Sequence, residues 1–120
     1  MTDFEVKITD GNFEEVVSGA QKPVLIDFYA DWCGPCQMLA PIISEIAESR
    51  DDIIVGKVNV DENPLLSAKF GVMSIPMLVV VKGGEVIAQK VGYCDKEAVE
   101  SMLGFYISRL RDERTSLRLR

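Results

Sequence analysis

Two cysteines separated by two residues are the strongest chemical feature of this sequence. They lie in the run Trp32-Cys33-Gly34-Pro35-Cys36. A pair at this spacing can close and reopen a disulfide ring, or it can supply two of the four soft ligands of a zinc or iron–sulfur site. The spacing alone therefore leaves a redox function and a metal-binding function open.

The rest of the composition weighs against the metal site. A tetrahedral site needs two more ligands, but the chain contains no His and only one further cysteine, Cys94. The lack of His also excludes Ser-His-Asp and Cys-His catalytic arrangements. A cluster shared between two chains is the metal alternative that remains, and elemental analysis would test it. We predict thiol–disulfide chemistry with no bound metal.

The segment that follows the motif provides what a redox cysteine needs. Between Pro35 and Arg50, apolar residues recur at three- and four-residue steps, which predicts a helix that begins inside the motif and is kinked by Pro41. Cys33 then lies at the helix N-terminus, where free backbone N–H groups and the helix dipole favour a thiolate. This predicts Cys33 as the nucleophile and Cys36, one turn on, as the resolving thiol.

Asp27 is a lone carboxylate in the apolar run from Pro23 to Ala30, which predicts a strand buried on both faces. Burial should raise its pKa. Lys57 interrupts a second apolar run, Ile53 to Val60, in the same way. We expect Asp27, with Lys57 beside it, to accept the proton of Cys36 during resolution. A structural Asp27–Lys57 ion pair is the alternative, and the two roles are compatible.

The charge near the dithiol also predicts the direction of the reaction. A carboxylate disfavours the thiolate form, and neither Gly34 nor Pro35 carries a positive charge to offset it. The strongest oxidants with such motifs work because their reduced form is stabilised. We therefore predict a low reduction potential and a reductant of exposed protein disulfides.

Further patterns predict the elements around the motif. Helices are expected over residues 11–18 and from Asn63-Pro64, the second burying Leu65, Leu66 and Phe70 and ending at Gly71. A last helix capped by Asp95 should bury a stripe made of Val99, Met102, Leu103, Tyr106, Ile107 and Leu110.

The order of the predicted strands indicates a mixed sheet. The strand–helix–strand unit around the motif implies a parallel pair. Residues 77–82 and 85–91 flank Gly83-Gly84, which predicts a hairpin of antiparallel strands.

The segment from Asp27 to Cys36 closely resembles the active-site segment of the thioredoxin family. The similarity extends over about residues 4–108 and includes three further matches: Lys57 to Asp61, Ile75-Pro76, and Gly83-Gly84 followed by Val91-Gly92. The resemblance implies an α/β thioredoxin fold, with a central five-stranded sheet of parallel and antiparallel strands flanked by four helices. We expect this single domain in residues 1–110 and an Arg-rich tail in residues 111–120.

The resemblance also implies a substrate groove. Pro76 would be in the cis form and face the disulfide, whereas a proline that merely starts a strand is the alternative. An extended substrate segment would bind in a groove lined by Trp32, Gly34, Pro35, Ile75, Pro76 and Gly92. Met77 and Gln37 depart from the family pattern at the border of this groove, which leaves partner preference open.

The partners follow from the same resemblance. It implies no bound cofactor, a reversible Cys33–Cys36 disulfide, and electrons from an external NADPH-dependent flavoprotein, a thioredoxin reductase. The partners would be that reductase and disulfide-containing client proteins, and we expect a monomer. A non-catalytic docking module with the same fold is the rival function, and a disulfide-reduction assay separates the two.

Charge and composition exclude other partners. The net charge of −6 argues against binding to nucleic acid or anionic membranes. The start, Met1 to Glu5, lacks the basic flank and apolar run of a secretion signal, and no segment is apolar over the roughly 18 residues of a membrane span. We expect a cytoplasmic protein.

Two features stand apart from the motif. Cys94 is interpreted as a small buried hydrophobic residue, with an exposed thiol open to glutathionylation or dimer formation as the alternative. Five Arg lie between Arg109 and Arg120. We expect this basic tail to be solvated, with partner docking as the alternative.

Overall fold

Three apolar runs of the sequence form the buried centre of the sheet in the computed structural model, which describes residues 1–104. They are β2 (Val24–Tyr29), β3 (Ile54–Asn59) and β4 (Met77–Lys82). β2 pairs in parallel with β3 and antiparallel with β4. The predicted parallel pair and the mixed character of the sheet are confirmed.

Two edge strands complete a sheet of order β1-β3-β2-β4-β5. β1 (Glu5–Lys7) lies parallel to β3, and β5 (Glu85–Val91) lies antiparallel to β4. The predicted β4–β5 hairpin turns through Gly83 and Gly84, whose φ angles of 60° and 82° strongly favour residues without a side chain. The residue pattern does not predict β1, because three residues are too few to show an alternation.

Four helical segments flank this sheet. A short π-helical segment, Glu14–Ser18, lies within the predicted helix of residues 11–18. α1 covers Gly34–Ser49, α2 covers Pro64–Lys69, and α3 covers residues 96–104 of the described part. The expected fold, a five-stranded mixed sheet with four helices, is confirmed.

α1 and α3 pack against one face of the sheet. α1 contains Pro41, and the kink predicted there stays a prediction. Asp95 caps α3 as predicted, since its Oδ1 accepts the Ala98 N–H at 2.9 Å. The buried side chains of this face include Leu25, Leu39, Ile43, Ile46, Val55, Leu78, Val80, Val99 and Leu103. Tyr106, Ile107, Leu110 and the tail of residues 111–120 lie outside the described residues.

α2 packs on the opposite face of the sheet through Leu66 and Phe70. The Phe70 ring lies 5.3 Å from that of Phe28, and Leu66 is buried in the same cluster. The prediction that Leu65 is buried is wrong, because its side chain is 72% exposed. Leu66 and Phe70 are four residues apart and share one face, whereas Leu65 points roughly 100° away from it. Gly71, with φ 61°, follows the end of α2 as predicted.

Candidate active site

The Cys33–Cys36 pair forms a disulfide at the N-terminus of α1. Cys33 is the N-cap residue, and its Sγ accepts the backbone N–H of Cys36 at 3.2 Å. Pro35 lies in the first turn, where its missing N–H removes no helical hydrogen bond. The predicted helix start inside the motif is confirmed, and it directs backbone N–H groups toward the sulfur of Cys33.

A cis peptide bond between Ile75 and Pro76 lies beside this disulfide. Cys33 Sγ is 3.8 Å from the carbonyl oxygen of Ile75, and Ile75 packs against the cluster that Ala30 forms with the two cysteines. The predicted cis form of Pro76 is confirmed. The alternative interpretation, a proline at the start of a strand, also describes its position, because Pro76 immediately precedes β4.

Gly92 is joined to the same loop by a backbone hydrogen bond. Its N–H donates to the carbonyl oxygen of Pro76 at 2.8 Å, and its φ angle is 93°. Such an angle favours glycine. The structure therefore joins Gly92 to Pro76, and Ile75, which precedes Pro76, contacts Cys33.

Trp32 presents an exposed indole beside the disulfide. The residue is 71% exposed, and its Nε1–H donates to Asp61 Oδ2 at 2.8 Å. Gly34 and Pro35 are exposed as well. Asp61 is not among the predicted site residues, because it lies 29 residues from Trp32 and no local pattern links the two.

Asp27 and Lys57 occupy paired positions on the parallel strands β2 and β3. Asp27 is fully buried, and Lys57 is only 8% exposed. Lys57 Nζ lies 3.7 Å from Asp27 Oδ2, which is an ion pair but too long for a hydrogen bond. Both carboxylate oxygens of Asp27 lack a hydrogen-bond partner among the described residues. The predicted ion pair is confirmed.

Burial controls the protonation of Asp27. It raises the pKa of Asp27 from 3.8 to about 6, although the positive charge of Lys57 opposes the rise. The predicted direction of the pKa shift is confirmed. A carboxyl group that titrates near neutral pH is suited to exchange protons under physiological conditions.

A cleft of about 260 Å³ lies beside Lys57 and the second cysteine. Cys36 and Lys57 both line it, and the remaining lining residues are Tyr29, Ala30, Asp31, Gln37 and Ala40. Lys57 Nζ also lies 4.6 Å from the centre of the Tyr29 ring. Lys57 thus stands between Asp27 and the cleft that Cys36 faces.

Cys94 lies apart from this site. Its side chain is 7% exposed in the cluster under α1 and α3, and burial raises the pKa of its thiol. The interpretation as a small buried residue is confirmed, and the exposed-thiol alternative is wrong. Within residues 1–104, no group of three His, Cys, Asp or Glu residues is placed to hold a metal ion. A search of the same residues finds no helix that could span a bilayer.

Comparison with known proteins agrees with the fold and the site. The thioredoxin family model matches residues 4–104. A thioredoxin of Alicyclobacillus acidocaldarius is 50% identical over 97 residues, which cover 80% of this chain and 91% of that protein. A thioredoxin of Streptomyces clavuligerus is 49% identical over 77% of this chain and 86% of that protein. A thioredoxin of Pyropia yezoensis is 43% identical over 85% of this chain and 96% of that protein.

Members of this family reduce disulfide-containing substrates and are themselves reduced by a reductase. Their redox group is an active-site disulfide, which corresponds here to Cys33–Cys36. The chain therefore belongs to the thioredoxin family and is a thiol–disulfide oxidoreductase that reduces protein disulfides.

Proposed function

We propose that Cys33 attacks the substrate disulfide and that Cys36 resolves the product. The observation that carries this division is the hydrogen bond from the Cys36 N–H to Cys33 Sγ at the N-cap of α1. A backbone donor and the helix dipole stabilise negative charge on that sulfur, so Cys33 is the thiol that ionises first in the reduced protein.

The reaction transfers two electrons in two exchange steps. The Cys33 thiolate attacks one substrate sulfur, and the other substrate sulfur leaves as a thiolate that takes up a proton. Cys36 then loses its proton and attacks Cys33 Sγ, which breaks the mixed disulfide and forms Cys33–Cys36. The substrate sulfur that was bound to Cys33 leaves as a thiolate and is protonated. The substrate disulfide is thereby reduced, and the cysteine pair is oxidised.

Asp27 is the proposed acceptor of the Cys36 proton. With a pKa of about 6 it is largely ionised at neutral pH, yet it binds a proton far better than an ordinary Asp. Lys57 supports the transfer because it contacts Asp27 at 3.7 Å and lines the cleft that Cys36 also lines. The ion pair is both structural and functional in this proposal.

The substrate segment binds beside the cis-proline loop in this proposal. Cys33 Sγ lies 3.8 Å from the Ile75 carbonyl oxygen, so an extended peptide there would present its disulfide to Cys33. The groove is formed by Trp32, Gly34, Pro35, Ile75, Pro76 and Gly92. The exposed surfaces of Trp32, Gly34 and Pro35 support their role in contacting the substrate.

The electron donor and the cellular setting are part of the same proposal. Family membership supports an NADPH-dependent flavoprotein, a thioredoxin reductase, as the donor that returns Cys33–Cys36 to the dithiol. We propose a cytoplasmic monomer with residues 1–110 as its domain, reducing exposed disulfides of client proteins. Buried negative charge near Cys36 supports a low potential and the direction of reduction.

Reduction of insulin disulfides by dithiothreitol tests the proposal. We expect the wild-type chain to accelerate precipitation of the insulin B chain and the Cys33→Ser variant to lose that acceleration. Cys94→Ser is the matched control, because it removes a thiol that lies outside the site. If Cys33→Ser accelerates precipitation as much as wild type, the non-catalytic alternative is correct and the proposed role of Cys33 is wrong.

A further inference from the structure

Glu5 is a second carboxylate buried near the active-site ion pair. It belongs to the edge strand β1 but is only 6% exposed. Its Oε2 accepts three hydrogen bonds, from the Thr2 N–H at 2.7 Å, the Thr2 hydroxyl at 2.9 Å and the Ser44 hydroxyl at 2.9 Å. Its Oε1 is buried without a hydrogen-bond partner among the described residues.

The strand register places Glu5 on the same face of the sheet as Asp27 and Lys57. Glu5 pairs with Val55 on β3, and Asp27 pairs with Lys57 two residues further along the same strand. Residues two apart on a strand share a face, so all three charged side chains lie on the side that α1 covers. The contact of Ser44 in α1 with Glu5 agrees with this placement.

Among the described residues, the charged groups buried on this face are therefore two carboxylates and one ammonium group, since Lys7 and Lys90, which the register also places there, are exposed. If both carboxylates were ionised, the cluster would carry a net negative charge away from water, which is unfavourable. One of the two carboxyl groups should therefore bind a proton more tightly than an ordinary carboxyl group does. Glu5 has three donors that stabilise its anion, whereas Asp27 has no hydrogen bond to either oxygen.

We propose that Glu5 is a positioning residue for the proton transfer: it competes with Asp27 for Lys57, and its own hydrogen bonds make Asp27 the carboxyl that takes the proton. The inference rests on the proposed role of Asp27 as the acceptor of the Cys36 proton. It adds that β1 and α1, through Glu5 and Ser44, determine which carboxylate acts.

The electrostatics of the cluster support this assignment. Burial favours a higher pKa for Glu5, but the hydrogen bonds from Thr2 and Ser44 and the charge of Lys57 outweigh it and lower the pKa. Burial raises the pKa of Asp27, the charge of Lys57 opposes the rise, and the charge of Glu5 adds to it. The two environments therefore shift the pKa values of the two carboxyl groups in opposite directions, as in other pairs of acids.

Within the described chain, Lys57 and Glu5 are the charged groups buried around Asp27, whereas Lys7 on β1 and Lys90 on β5 lie further along the same face and are exposed. Lys57 faces it from β3 and Glu5 from β1, while Tyr29 lies two residues along β2. Its partner on β4 is the apolar Leu78. From α1, Cys36 lines the cleft beside Lys57. Removal of the Glu5 charge should therefore act on Asp27 without a compensating carboxylate nearby.

Carboxyl-carbon NMR of the full chain, recorded against pH, tests the proposal. We expect the titration midpoint of Asp27 to fall by about half a pH unit or more in Glu5→Gln, because a nearby negative charge is lost. Glu5→Leu removes the same charge and fills the site with an apolar side chain. It measures the same shift of the Asp27 midpoint if the buried amide of Glu5→Gln prevents folding. The pH profile of mixed-disulfide resolution should shift to lower pH by the same amount.

Glu45→Gln is the matched control. Glu45 follows Ser44 on α1, is largely exposed, and pairs with Lys96 at 2.9 Å, so its removal should leave the Asp27 midpoint unchanged. The proposal is overturned if Glu5→Gln and Glu5→Leu both titrate Asp27 at the same pH as Glu45→Gln. The proposed role of Asp27 is tested separately and is wrong if Asp27→Asn does not slow resolution. The two outcomes are distinguishable, because the titration midpoint of Asp27 is measured without turnover.

Discussion

Lys57 Nζ lies 3.7 Å from Asp27 Oδ2, across a pair of parallel strands in the centre of the sheet. Neither carboxylate oxygen has a hydrogen bond within the described chain, and Asp27 is fully buried. A buried ion pair without supporting hydrogen bonds contributes little net stability, because desolvation offsets the attraction between the charges. Because the ion pair lies beside the cleft that Cys36 lines, a role in the reaction explains its presence better than a role in stability does.

The raised pKa of Asp27 predicts a stability that falls as the pH rises. The folded protein binds this proton more tightly than the unfolded chain, because the pKa is about 6 in the former and near 3.8 in the latter. Between these values the native state holds more protons, so the free energy of unfolding decreases with pH. We expect Asp27 to account for a loss of about 2 kcal/mol between about pH 4 and about pH 7.5.

Guanidinium unfolding of the oxidised protein and of Asp27→Asn, at both pH values, measures this contribution. The other carboxylates titrate in both proteins, so the difference between the two isolates Asp27. We expect the variant to gain stability relative to wild type as the pH rises. Parallel pH dependences would show that Asp27 has an ordinary pKa in the folded protein.

We expect the same variant, Asp27→Asn, to be defective in the second chemical step, the resolution of the mixed disulfide. Asp27→Asn cannot accept a proton, so resolution of the mixed disulfide should slow by about 10-fold or more at neutral pH, while the attack by Cys33 continues. Stopped-flow fluorescence of Trp32, the only tryptophan, follows both steps. An unchanged resolution rate would leave Asp27 with a structural role only.

The Trp32–Asp61 hydrogen bond predicts an effect on substrate binding. Asp61→Ala removes the acceptor that orients the exposed indole. Because both groups lie at the surface, the free energy of unfolding should change by less than about 1 kcal/mol. We expect KM for insulin to rise several-fold with little change in kcat. A variant with wild-type KM would show that the orientation of the indole does not matter for binding.

Burial of Cys94 predicts a thiol that is protected in the native protein. It is 7% exposed, and burial raises the pKa of its thiol, so little reactive thiolate is present at neutral pH. With Cys33–Cys36 oxidised, iodoacetamide should label no cysteine in the native state and one in denaturant. Mass spectrometry counts the labels, and rapid labelling of native protein would contradict the burial of Cys94.

The elements around the active site follow from the sequence because their signals are local. The periodic apolar residues after Cys33, the Gly83-Gly84 turn and the Asp95 cap each specify a structure within a few residues. The buried Asp27 was recognisable because its charge interrupts an apolar run. The cis form of Pro76 came from family resemblance, since the local sequence does not distinguish cis from trans.

What the sequence did not show depends on contacts between distant segments. Glu5 reads as an exposed residue at the start of the chain, and only the pairing of β1 with β3 and the contact with Ser44 bury it. The apolar character of Leu65 predicts a buried side chain, but a rotation of roughly 100° from Leu66 along the helix turns it toward solvent. The Asp61 acceptor for Trp32 lies 29 residues away and has no local signal.

Trapping of the mixed disulfide tests the division between the two cysteines most directly. The Cys36→Ser and Cys33→Ser variants, both in a Cys94→Ser background, are each mixed with an excess of a peptide that contains one disulfide. Mass spectrometry then measures the protein–peptide adduct over time. We predict that Cys36→Ser accumulates a stable adduct at Cys33 and that Cys33→Ser forms an adduct far more slowly. Faster adduct formation at Cys36 would contradict the assignment of Cys33 as the nucleophile.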